Sequence, residues 1–151
     1  MVKTATLGCQ PSRTPDEIAS LLRAAGLRPT RQRLLLGALL FGQGDRHVSA
    51  EMLHEEAVRR GERVSLATVY NTLHQLKGAG LVRELAIEGT KAYFDTNTSS
   101  HHHFYLERDG TLIDIPPGTI QVTGLPEAPD GTRIGHVDVV VRLAKMPDAE
   151  A

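Results

Sequence analysis

The stretch from Val64 to Lys91 constrains the fold more than any other, because it spells a capped amphipathic helix running straight into a short basic hairpin. Ser65 is placed to cap a helix in which Leu66, Val69, Leu73 and Leu76 recur at helical spacing, which buries one stripe. Thr68, Asn71 and Gln75 then face outward, where polar side chains can read base edges. The helix is expected to stop near Gly78 or Gly80. Beyond it, Leu81 to Ile87 alternates as a strand, Glu88, Gly89 and Thr90 form a turn, and Lys91 to Asp95 returns. Helix, glycine stop and two-stranded wing read together as a winged helix-turn-helix. An ordinary amphipathic helix packed beside a hairpin is the plainer alternative.

The residues upstream supply the rest of such a unit. Residues 1–13 read as a flexible lead. Thr14, Pro15 and Glu17 then give a cap, a first-turn proline and a capping-box carboxylate for a helix to about Ala25, closed by Gly26. Thr30 begins a second helix carrying Leu34, Leu35, Ala38, Leu39 and Phe41 and stopped by Gly42 and Gly44. Ser49 caps a third, which buries Met52, Leu53 and Ala57 and ends at Gly61. The third helix and the Ser65 helix, joined by a short turn, have the helix-turn-helix arrangement. Residues 14–95 are therefore expected to form a DNA-binding domain.

Charge divides the chain in the same place. Through Asp95 there are 13 Lys and Arg against 10 Asp and Glu, a net of +3, whereas the remainder has 4 against 8, a net of −4. A basic front half suits a polyanion, and an acidic back half bearing histidines suits cations. Cys9 is the only cysteine, which excludes an intrachain disulfide and a cysteine-cluster zinc site. No apolar run approaches bilayer length and the first residues lack a signal-peptide core, so a soluble, cytoplasmic protein is expected.

After a small polar hinge at 96–100, His101 to Leu106 reads as a strand, Arg108 to Gly110 as a turn and Thr111 to Ile115 as its return. Val137, Val139, Val141 and Leu143 alternate as a further strand, and residues 146–151 are a tail. Three strands over 101–145 cannot hide both faces of a sheet, so a second copy of the chain is expected to cover them as a homodimer. Such a dimer would set two recognition helices on a palindromic duplex. His101 and His103, two apart on a strand, project to one face and His102 to the other. Two imidazoles on one face begin a metal site, although a solvated histidine loop would look the same.

These pieces, in this order, resemble the Fur superfamily of metal-responsive transcription regulators, and most closely its iron response regulator (Irr) branch. The carriers are Ala25-Gly26-Leu27-Arg28-Pro29-Thr30 with Arg33, His47-Val48-Ser49-Ala50-Glu51, Leu66-Ala67-Thr68-Val69-Tyr70-Asn71-Thr72-Leu73, Ala79-Gly80-Leu81 and His101-His102-His103. They span about residues 20 to 145. The resemblance implies an α+β chain with an N-terminal winged helix-turn-helix domain plus a small C-terminal α/β dimerisation domain. It implies that Tyr70 touches bases, that Arg28, Thr30 and Arg33 meet the phosphate backbone, and that Lys91 tips the wing. Ser65, Thr68 and Asn71 join them from the outward face of the recognition helix. Tyr70 as a packing residue, and the arginines as a solvated helix start, are the alternatives.

The resemblance also implies a metal site of His47, Asp95, His101, His103 and Asp114, clamping the front half to the back. Imidazole and carboxylate ligands without thiolate suit iron, manganese or zinc. Asp114 depends on whether the hairpin turns about Arg108-Asp109 or Asp109-Gly110. Leu106 and Asp109 stand where relatives carry the first cysteine pair of a structural zinc site, so no structural cysteine-zinc site is carried over. His136 falls one place off a second histidine site. The Irr branch implies haem as a signal, with His101, His102 and His103 as possible ligands; Cys9-Gln10-Pro11 interrupts the Cys-Pro haem motif of some members.

The expected function is that of a dimeric, sequence-specific transcription regulator, acting on an AT-rich palindromic operator in response to iron or haem status. A ferrous, manganese or zinc-responsive Fur-type repressor with no haem role is the second reading. A metal-dependent hydrolase is the remote one, since no His-Glu-x-x-His helix, nucleophile motif or phosphate-cradling loop occurs.

Overall fold

Four helices and six strands follow from these local signals in a computed structural model that describes residues 11–88 and 91–147, the side chains of Glu88 and Lys91 excepted. Of the described residues, those through Thr98 form one compact unit and those from Ser99 on form a second. Among them, no helix is long and apolar enough to cross a membrane.

In the first unit every helix opens on the expected hydroxyl. α1 (Pro15–Ala24) has a complete capping box: the Thr14 hydroxyl accepts the Glu17 N–H at 3.3 Å and the Glu17 carboxylate accepts the Thr14 N–H at 2.7 Å. It ends where Gly26 takes φ +79°. α2 (Arg31–Phe41), α3 (Ala50–Arg59) and α4 (Leu66–Gly78) are capped by Thr30, Ser49 and Ser65. α1 and α2 meet closely at Gly37, where a Cβ would stand 2.8 Å from the Ile18 side chain.

The core joins Ile18 and Leu22 of α1, Leu36 and Leu40 of α2, Leu53 of α3, and Val69, Leu73 and Leu76 of α4. Three expected core positions are corrected. Ala38 is exposed, because leucines surround α2 and periodicity alone cannot choose its buried face, which runs through Leu36, Gly37, Leu39 and Leu40. Met52 is 45% exposed and Leu66 36%; each lies in the first turn of its helix, to the side of the buried stripe.

Strands β1 (His47–Val48), β2 (Arg83–Glu88) and β3 (Lys91–Asp95) form an antiparallel sheet in the order β1-β3-β2. β2 begins two residues later than expected, after Leu81 and Val82. β1 is an addition, too short to show an alternation. It sets His47 opposite Asp95, while β2 sets Arg83 opposite the same residue from the other side. The turn residues Gly89 and Thr90 lie outside the described residues, as do Cys9 and the side chain of Lys91.

The second unit is a sheet of β4 (His102–Leu106), β5 (Thr111–Ile115) and β6 (Val140–Leu143), ordered β5-β4-β6. β4 pairs antiparallel with β5 and parallel with β6, so the long connection over residues 116–139, free of helix and strand, serves as the crossover. Leu106 opposes Thr111, and the Gly110 N–H donates to the Leu106 carbonyl at 2.8 Å. The hairpin therefore turns about Arg108-Asp109, the first of the two expected registers, and His103 lies opposite Asp114. Val137 and Val139 precede the last strand instead of belonging to it.

Candidate metal ligands and nucleic-acid interface

In the second unit, strand alternation carries His101 and His103 to one side, with their ring centroids 4.5 Å apart. The hairpin register then brings Asp114 to meet them. His101 Nε2 lies 3.2 Å and His103 Nε2 3.3 Å from the same Asp114 Oδ1. Both rings are buried, His103 completely. His101 Nδ1 is 2.7 Å from the Ser99 carbonyl oxygen. That oxygen can only accept, so Nδ1 carries the proton and the lone pair of a neutral ring is on Nε2, directed at the carboxylate. A lone pair facing an anionic oxygen is repulsive unless a proton or cation reconciles them. Two imidazole nitrogens converging on one carboxylate oxygen form a donor set that fits a divalent cation.

His102 differs. Its Nδ1 accepts the Val139 N–H at 3.1 Å, which places the proton of the neutral ring on Nε2 and leaves that nitrogen without a lone pair for a metal or haem iron. His136 lies beside Asp138, at 2.9 Å, on exposed surface.

In the first unit, the paired strands bring His47 and Asp95 together, Nε2 to Oδ2, at 3.1 Å. Asp95 is fully buried, and its Oδ1 accepts the Asn97 N–H at 2.9 Å. Burial pulls the Arg83 guanidinium below its usual range, an effect partly offset by the Asp95 charge. Arg83 and Asn97 escaped the sequence reading. Only pairing of β2 with β3 brings Arg83 to Asp95, whereas the Asn97 contact is a local Asx turn on Asp95.

The outward face of α4 meets the start of α2. Ser65 and Thr30 spend their hydroxyls on capping, since Thr68 N–H donates to Ser65 at 3.1 Å and Arg33 N–H to Thr30 at 3.3 Å. Thr68 also shares a hydroxyl–hydroxyl bond with Ser65 at 2.9 Å. Arg28, Thr30, Ser65 and Asn71 are exposed, while Arg33, Thr68 and Tyr70 are half-buried. Tyr70 leans on the core and donates its hydroxyl to Glu51 at 2.5 Å. That bond, with some desolvation and the Glu51 charge, raises the phenol above its ordinary range. The packing and contact readings of Tyr70 thus share one residue.

A family model described as the ferric uptake regulator family matches residues 24–139. The chain belongs to the ferric uptake regulator (Fur) family. Among its relatives, the ferric uptake regulation protein of Shigella flexneri is 42% identical over 85 residues, covering 56% of this chain and 57% of that protein. The peroxide-responsive repressor PerR of Staphylococcus epidermidis is 32% identical over 100 residues, covering 66% of each. These matches span 57% and 66% of the relatives' own lengths. The solved Fur of Pseudomonas aeruginosa with manganese superposes with a TM-score of 0.62 at 27% identity, over 85% of this chain and 97% of that one. The Fur assignment accounts for the order of helices, wing and second sheet.

Proposed function

We propose that this Fur-family chain is a metal-responsive transcription regulator, acting as a cytoplasmic dimer that binds duplex DNA through α4. One observation carries the metal half: two buried imidazole nitrogens share one carboxylate oxygen, with the His101 lone pair directed there by Ser99. We assign His101, His103 and Asp114 as ligands within the second unit; His47 and Asp95 are a separate candidate ligand pair within the first. A bound cation would supply charge that neutralises these carboxylates and hold the imidazoles in their neutral form. Regulation requires that it favour one protein shape over another.

DNA contact is assigned to Arg28, Thr30, Arg33, Thr68, Tyr70, Asn71 and the wing lysine Lys91, with Ser65 as the cap that holds the start of α4. The operator is taken as an AT-rich palindrome. Dimerisation is supported by the second unit, where Val122, Leu125, Ile134, Leu143 and Met146 leave large apolar surface exposed. We favour a divalent cation over haem at the triplet, because the His102 tautomer and the burial of His101 and His103 present none of these three imidazoles to a porphyrin.

The test is titration of AT-rich palindromic duplexes with chelated, manganese-loaded, ferrous-loaded, zinc-loaded and haem-treated protein at fixed salt. The proposal requires a cation-dependent change in duplex affinity that disappears in His103→Ala. A haem-dependent change, with a Soret shift lost in that variant, would replace the cation by haem. No affinity for any duplex would remove the regulator reading.

A further inference from the structure

The DNA-binding reading above underlies an additional contact. Gln75 lies on α4 one turn beyond Asn71, on the same exposed side. Its Oε1 receives two donors from Arg33, Nε at 3.2 Å and Nη2 at 3.0 Å, while Arg33 Nη1 donates to the Arg28 carbonyl oxygen at 2.9 Å. A guanidinium has five donors and no acceptor, so the amide atom it meets twice must be the oxygen. The orientation of the amide is thereby set: the oxygen is engaged by Arg33, and the two N–H donors of Nε2 point away from it.

These residues line a polar notch between the start of α2 and the face of α4, with Thr30, Gln32, Thr68 and Asn71 in its walls. Of the threonine hydroxyls there, Thr30 accepts the Arg33 N–H, Thr68 shares a bond with Ser65 and Thr72 donates to the Thr68 carbonyl oxygen. The Gln75 amide is therefore a pair of donors held in place by Arg33 in the lining of that notch.

We propose that Gln75 is a further DNA contact that only donates, taking an acceptor oxygen of the duplex, and that Arg33 is the positioning residue that makes it so. Bidentate recognition of adenine needs both the oxygen and the nitrogen of an amide. With the oxygen engaged, Gln75 is barred from it. A phosphate oxygen and a keto oxygen, thymine O4 or guanine O6, share the chemistry that remains.

The test uses duplexes selected from a random pool by the full chain and then modified one position at a time, with neutral methylphosphonate linkages or with bases lacking the keto oxygen. Gln75→Glu keeps the acceptor for Arg33 and loses the donors, so affinity falls about tenfold with helix content unchanged. Gln75→Ala becomes indifferent to one modification that weakens the unaltered chain; a linkage at that position identifies phosphate, a base identifies a keto edge. Arg33→Lys keeps the charge and the salt slope but loses the fork, and sensitivity to that modification falls with it. Wild-type affinity in both Gln75 variants, with every modification still felt, overturns the proposal while leaving DNA binding standing. A selected preference for adenine at that position that vanishes in Gln75→Ala overturns it too. Failure of the unaltered chain to bind any duplex overturns both readings.

Discussion

The two three-stranded sheets of this protein rest on different interiors. The β1-β3-β2 sheet is backed by four helices and a core running from Ile18 to Phe94. Among the described residues, the β5-β4-β6 sheet buries only three apolar side chains, Tyr105, Leu112 and Ile115, together with His101 and His103. Apolar burial dominates the interior of the first. In the second, two imidazoles occupy ground that leucines would fill, so a ligand on those rings is expected to change its stability. A unit with little core and a polar interior is suited to sensing, since a ligand there shifts a larger share of the total stability.

The largest expected effect would break the first half of that comparison. Leu73→Ala removes a side chain wholly buried in α4, and should cost about 3 kcal/mol in denaturant unfolding followed by helix signal. A loss under 1 kcal/mol would mean that the apolar core is not what holds α4. Next comes the second half: manganese or zinc at about a hundred times its Kd should add about 2.7 kcal/mol to the second unit. Calorimetry of the full chain should show the weaker transition moving up with cation and back with chelator, and standing still in His103→Ala. Equal movement of both transitions would mean that the first unit draws as much stability from the ion.

A smaller effect sharpens the contrast between neighbouring histidines. Asp114→Asn removes the charge facing His101 and His103 and should weaken cation uptake, measured by calorimetric titration, by about tenfold or more. His102→Ala, whose ring only accepts a backbone N–H from Val139, should leave uptake nearly unchanged. Equal loss in both would mean the tautomer assignment is wrong.

Legibility in the sequence follows the same division. Thr14, Thr30, Ser49 and Ser65 announce four helix starts because capping is local and leaves a local mark, and the glycine stop at Gly26 does likewise. Strand alternation places His101 and His103 on one side for the same reason. What the sequence hides is non-local. Two residues of β1 cannot display a period, so the contact of His47 with Asp95 depends on a pairing across 48 positions that only the fold supplies. Asp114 is ambiguous until the turn about Arg108-Asp109 fixes its register. The leucine-rich α2 conceals its buried face because its apolar residues run around the helix beyond Arg33, so Ala38, expected inside, lies exposed. The Arg33–Gln75 bridge joins two helices 42 residues apart, and no spacing rule within either helix reveals it.

The smallest effect concerns Tyr70, which belongs to the first unit but uses a polar bond like those of the second. Its hydroxyl donates to Glu51, and the phenol is raised above its ordinary value chiefly by that bond. A raised folded-state value means that the protonated phenol is favoured by folding. The contribution is therefore complete below the unfolded tyrosine value near pH 10, and is lost as pH climbs through the folded value. Titration of the phenolate absorbance should show Tyr70 ionising late, and Glu51→Ala should bring it earlier. Glu51→Gln still accepts the hydroxyl but carries no charge, so it should fall between the two. An unchanged titration in Glu51→Ala would mean that Tyr70 is held by packing alone, as the core residues around it are.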